Sequence, residues 1–190
     1  MSVAIKSKYT PQEYLEIERK AETKSEYFNG EIFALAGASK EHILIVTNII
    51  VELGTQLKKR PCQVYSTDMK VKALRSGLYT YPDIIVVCDK PEFEDEHKDI
   101  LLNPTLIAEV LSESTEAYDR GKKFEHYRNV ESLKEYLLIA QDKHSVEQFI
   151  KQNDGSWLFL ETSDSEGVVR LRSINCELLI SDVYHKVELE

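Results

Sequence analysis

Polar and apolar positions change period several times along this chain, and each change marks an element. Thr10, Pro11 and Glu13 combine an N-cap hydroxyl, a proline at the first helical position and a glutamate placed to close a capping box. A short helix is expected over about residues 11 to 21. Residues 26–36, EYFNGEIFALA, set Asn29-Gly30 between two apolar-rich runs, which predicts a tight hairpin. Ser39 offers the next N-cap, and behind it Ile43, Val46, Ile50, Leu53 and Leu57 recur at the spacing of one helical face. Leu44, Ile45, Ile49 and Val51 widen that face, so this helix, ending near residues 58–61, is expected to be buried on more than one side.

Three strand-like runs follow, in QVYSTDMKVKA, YPDIIVVCD and PTLIAEVLS. After Ser112 a helical period returns, with Ala117, Gly121, Phe124 and Arg128 on one side and Asp119, Lys123 and Tyr127 close to another. EYLLIAQ at 135–141 reads as a buried strand. SVEQFIKQ, the NDG turn at 153–155, WLFLETS and VVRLRS read as an antiparallel meander.

Composition narrows this picture. A chain of 190 residues with 42% hydrophobic content can bury one substantial core, so one domain spanning residues 1–190 is expected, without linker or repeat. The N-terminal segment turns amphipathic and charged without the apolar region of a signal peptide. The longest apolar stretch, HILIVTNIIVEL, is interrupted by Thr47, Asn48 and Glu52 and is shorter than the roughly 20 residues a spanning helix needs. A cytoplasmic chain without a membrane partner is expected. Cys62, Cys88 and Cys176 are odd in number and form no CxxC pair, so neither a disulfide framework nor a thiolate zinc site is expected. The net charge of −9 works against broad contact with nucleic-acid phosphates. Lys58, Lys59 and Arg60, and again Lys70, Lys72 and Arg75, gather positive charge locally, each group reading equally well as solvated surface.

Two carboxylates stand out against this background. Asp83 opens the β-branched run IIVV, and Glu109 sits within LIAEVL, where burial would neutralise it unless a cation or a basic partner kept it ionised. A shared divalent cation and a salt bridge to Lys or Arg explain the pair equally well. Lys122 and Lys123 add an ammonium of the kind that phosphodiester hydrolysis uses near the attacking water. Asp119 and Lys123 are also an ordinary i, i+4 helix pair.

YPDIIVV, then IAEVLSEST, then DRGKKFEHYRNVESLKEYLLIAQD resemble the putative restriction endonuclease family abundant in cyanobacteria, a branch of the PD-(D/E)xK nuclease superfamily. SEYFNGEIFALAGASKEHILI is similar to that family's leading motif, so the resemblance covers about residues 8 to 142. It implies an α/β (α+β) restriction-endonuclease-like core, a mixed central sheet flanked by helices, to which the C-terminal β meander is added. It also implies a metal-dependent endonuclease in which Asp83 and Glu109 bind Mg²⁺ or Mn²⁺, with Glu26 either a third metal ligand or a surface glutamate of the hairpin. The lysine usual two residues beyond the acid is replaced by Leu111, which implies a migrated lysine, Lys123 in preference to Lys122. His42 reads as a helix-start histidine with a local hydrogen bond, or as a contact to a phosphate or metal-bound water. Tyr127 either packs or hydrogen-bonds a catalytic group. DNA is the expected substrate and a homodimer the expected assembly. The rival readings are a non-catalytic interaction or DNA-binding module that keeps the nuclease fold, and a hydrolase of small phosphoesters, for which the chain lacks a Gly-rich phosphate cradle.

Overall fold

The structure, a computed structural model, describes residues 8–189. Helix α1 (Pro11–Glu18) starts at the anticipated capping box, with Thr10 and Glu13 each accepting from the other's backbone N–H. Strands β1 (Ser25–Phe28) and β2 (Glu31–Ala34) form the hairpin, and Asn29 and Gly30 both take positive φ at its turn. Helix α2 (Lys40–Leu57) is capped by the Ser39 hydroxyl, which accepts from the His42 N–H. Its buried face is Ile45, Val46, Ile49, Leu53 and Leu57, while Ile43 and Val51 are more than half exposed. The face is thus rotated from the one the spacing suggested, because a helix with apolar residues at so many positions is oriented by what covers it.

The remaining strands are β3 (Gln63–Ser66), β4 (Lys70–Ala73), β5 (Leu78–Thr80), β6 (Ile84–Val87), β7 (Ile100–Leu101), β8 (Leu106–Leu111), β9 (Glu135–Ala140), β10 (Val146–Lys151), β11 (Trp157–Thr162), β12 (Val168–Leu171) and β13 (Cys176–Leu179). Six of them form the larger sheet in the order β11-β10-β9-β8-β6-β3, mixed because β8 and β9 run parallel. A second sheet has the order β2-β1-β5-β4-β7. The C-terminal strands divide: β10 and β11 extend the larger sheet, while β12 and β13 pair separately and lead into a short helix, α5 (Ile180–Val183).

The larger sheet is covered on both faces, and this explains the unbroken apolar runs of β6 and β8. Ile84, Val86, Leu106, Ala108 and Val110 pack with α2, β12, β13 and α5. Ile85, Val87, Ile107 and Leu111 face the other way, against Val71, Ala73 and Leu78 of the second sheet and Tyr127. Alternation along the strands places Asp83 and Glu109 on this second side. Beyond it, α1 closes the outer face of the second sheet through Tyr14, Tyr27 and Tyr79.

The expectation for the cysteines fails as well. Cys62 and Cys88 form a disulfide, since each lies just outside the antiparallel β3–β6 pair, where Gln63 faces Val87. Sequence separation hid a pairing that strand register creates. Cys176 is a buried free thiol. Among the described residues no helix is long and apolar enough to cross a membrane.

Leu53 is fully buried in the core between α2 and the larger sheet. Leu53→Ala should therefore lower the unfolding free energy by about 2–5 kcal/mol. Ile43→Ser, on the exposed side of the same helix, should change it by less than about 0.5 kcal/mol. Urea denaturation of both variants checks which face of α2 carries the packing.

Candidate functional site

The site forms where the start of β6 meets the middle of β8. Ile84 faces Ala108 in the antiparallel ladder, so Asp83 falls opposite Glu109 on the adjacent strand. The pair is tied through backbone: the Asp83 N–H donates to Glu109 Oε2 at 3.3 Å, and the Val110 N–H donates to Asp83 Oδ2 at 2.8 Å. From the far side, His42 at the start of α2 brings its Nε2 to 3.0 Å from Asp83 Oδ1. The histidine's backbone N–H takes the helix-capping bond, which leaves the ring for the acid, so the local contact expected of this residue belongs to its main chain alone.

The lysine arrives on the helical segment after β8. Residues Glu116–Tyr118 (α3) and Phe124–Tyr127 (α4) are joined by a π-helical turn, Asp119–Lys123. In an unbroken α-helix, residues four apart drift by about 40° around the axis. The wider turn counters that drift, and Asp119, Lys123 and Tyr127 all point into the protein as its buried residues. Lys123 Nζ lies 3.0 Å from Glu109 Oε1, 3.4 Å from Asp119 Oδ1 and 3.5 Å from Glu26 Oε1. Lys122, its neighbour, is exposed. The Tyr127 hydroxyl donates to Glu109 Oε1 at 2.8 Å. Glu26, brought in by β1, also accepts from the Thr80 hydroxyl and, at 3.4 Å, from the Tyr81 N–H.

The structure thus gathers Glu26, Asp83, Glu109 and Lys123. Asp119, which the sequence presented only as a helix partner of Lys123, joins them as a fourth acid. Thr80 gave no signal, because β5 is three residues long and its role depends on pairing. The second basic group is consumed elsewhere: Lys70 pairs with Asp99, Lys72 with Glu94 and Arg75 with Glu131. In the first, Arg60 donates to the carbonyls of Ile174 and Asn175.

One ammonium serves three carboxylates directly, with Asp83 held by His42 beside them, and the imbalance appears in the protonation of Glu109 and Asp119. Burial pushes Glu109 up to about 8, with Asp83 and Asp119 adding to the rise and Lys123 opposing it. Burial also raises Asp119. Burial works against the charge on Lys123, but Glu109, Glu26 and Asp119 outweigh it and hold the ammonium well above the usual lysine range. Among the described residues no three His, Cys, Asp or Glu side chains are already grouped as a metal cage. The donor chemistry nevertheless fits a hard divalent cation, since it is all carboxylate oxygen and carries unneutralised negative charge.

The architecture is a restriction-endonuclease-like α/β fold, and a solved structure shares it. The crystal structure of a putative nuclease belonging to DUF820 from Anabaena variabilis ATCC 29413 superposes with a TM-score of 0.75 at 19% identity, covering 91% of this chain and 96% of that one. Residues 11–180 match the family Uma2, described as putative restriction endonuclease, and the chain belongs to that family. Two relatives come from Synechocystis sp. (strain ATCC 27184 / PCC 6803 / Kazusa). The uncharacterized protein sll1609 is 39% identical over 161 residues, 85% of this chain and 91% of the relative. The uncharacterized protein slr1290 is 34% identical over 177 residues, 93% and 92% of the two chains.

The raised Glu109 predicts a pH signature. The native state binds this proton more tightly than the unfolded chain, so the stabilisation is complete below the ordinary value of 4.5 and is lost as pH rises through about 8. In metal-free protein, Glu109→Gln should flatten the decline of unfolding free energy across this window, each titrating group accounting for at most about 1.4 kcal/mol per pH unit. Urea denaturation at a series of pH values measures the slope, and equal slopes in parent and variant would show that Glu109 titrates normally.

Proposed function

We propose that this chain is a metal-dependent endonuclease of the PD-(D/E)xK type that hydrolyses DNA phosphodiesters. The observation that carries the reading is the buried Lys123 ammonium 3.0 Å from Glu109, on the strand paired with Asp83. A helix-borne lysine reaching that point does what a lysine two residues beyond the acid does elsewhere. Leu111 is free to pack in the core.

Asp83 and Glu109 would hold Mg²⁺ or Mn²⁺, with Glu26 the third acid within reach. The ion supplies neutralisation at the phosphate and activation of water. The chain's own groups set the geometry around it. His42 and the Val110 N–H fix the Asp83 carboxylate, and Tyr127 fixes Glu109. Lys123 offers a fixed positive charge where negative charge builds up on the phosphoryl oxygens, and its carboxylate neighbours keep it protonated. The family's description and the nuclease-like neighbour support the same chemistry. Lys70, Lys72 and Arg75 are each paired with an acid and the chain is net acidic, so the substrate would be held at the site rather than over a wide basic surface.

Lys123→Ala should reduce Mn²⁺-supported cleavage of plasmid and single-stranded DNA by about a hundredfold or more, while Lys122→Ala cuts like the parent. Mn²⁺ should still raise the melting temperature of Lys123→Ala, and Asp83→Ala should abolish that rise, because only a ligand of the native state stabilises it. Gel-based cleavage and thermal denaturation report separately on the two roles. A parent that cuts no nucleic acid would favour an interaction module on the same fold.

A further inference from the structure

The terminal strand of the larger sheet is built as an interior strand. Edge strands normally carry charges, proline or a bulge that stop another strand from adding to them. In β11 the residues Trp157, Leu158, Phe159 and Leu160 are consecutive and uncharged, so both faces are apolar, as in β6 and β8, which are covered on both sides. On one face Phe159 packs on Phe149, with ring centroids 5.2 Å apart, and Trp157 meets Phe124 edge-on. On the other face Leu158 lies opposite Ile150 of β10. These contacts use the inward half of the strand only. Leu158, Phe159 and Leu160 remain 40%, 49% and 39% exposed, and among the described residues no strand lies beyond β11.

We infer that β11 is the contact strand of a homodimer, in which two copies pair antiparallel and join their six-stranded sheets into one. The strand is self-complementary. A two-fold axis normal to the sheet at Phe159 sets Phe159 against its own copy and Leu158 against Leu160 of the other chain. The same register brings Glu161, the one charge in β11, opposite Trp157 of the other chain. Trp157 already has Lys151 as its neighbour on β10, with the ammonium 6.0 Å from the indole centre. Each Glu161 thus approaches the other copy's Lys151. Charge favours this surface as well: the chain carries a net charge of −9, and an apolar strand with a single charge is where two copies meet with little repulsion.

The test is sedimentation equilibrium of the full chain at about 100 μM and below, a range that captures micromolar pairing. Parent protein and Ile43→Lys, whose exposed side chain lies on α2, should both sediment as dimers. Phe159→Lys and Leu160→Glu should sediment as monomers with the parent's far-ultraviolet dichroism, their dissociation constants raised about tenfold or more by like charges facing each other. Phe159→Cys should be joined to its copy by a short bis-maleimide, because directly opposed Cβ atoms lie about 5 Å apart, while buried Cys176 leaves the parent unlinked. A monomeric parent at the highest concentration would overturn the inference. So would a dimer that survives both charged substitutions, a Phe159→Cys dimer that fails to cross-link, or a parent that pairs only with an added peptide strand.

Discussion

A single buried ammonium organises this half of the molecule. Lys123 brings together a strand of each sheet and the helical segment between β8 and β9, because Glu26, Glu109 and Asp119 come from three different elements. Burial alone would strip the lysine of its charge, and these carboxylates hold it protonated, while the ammonium in turn opposes the rise that burial imposes on Glu109 and Asp119. The cluster is therefore mutually dependent. The concentration of carboxylates is tolerated because two apolar cores on either side of the larger sheet hold the strands in place.

Much of this arrangement is legible in the chain. The capping box at Thr10, the Asn29-Gly30 turn and the apolar runs of β6 and β8 depend on neighbours in sequence, and each appears where local chemistry puts it. Asp83 and Glu109 are conspicuous for the same reason: a carboxylate beside four apolar residues is costly in any fold. Lys123 is pointed to by the family resemblance, which implies a migrated lysine where Leu111 holds the usual place, together with its helical spacing from Asp119 and Tyr127.

What stayed hidden depends on distance along the chain. The Cys62–Cys88 bond needs the β3–β6 register, the Thr80–Glu26 bond needs β1 beside β5, and the His42–Asp83 contact needs α2 to lie across the end of β6. The division of the C-terminal strands is of the same kind. VVRLRS has strand periodicity wherever it pairs, and only its partner CELL, which sequence reading passed over, draws it away from the larger sheet and onto α2. Propensity names the element, and tertiary packing assigns its neighbour.

The π-helical turn makes the geometry sensitive to chain length. Gly121 lies at its midpoint, exposed and with open space around its missing side chain, so composition at that position is unconstrained. Length is not. Removing one residue there would return the segment to ordinary α-helical winding and leave Asp119 and Lys123 three residues apart, about 60° out of line around the axis, shifting the ammonium against the acids of β1 and β8. Side chains at the exposed positions of this turn can therefore change with little consequence. An insertion or deletion in the same five residues would pull the ammonium out of the cluster without changing Glu26, Asp83 or Glu109.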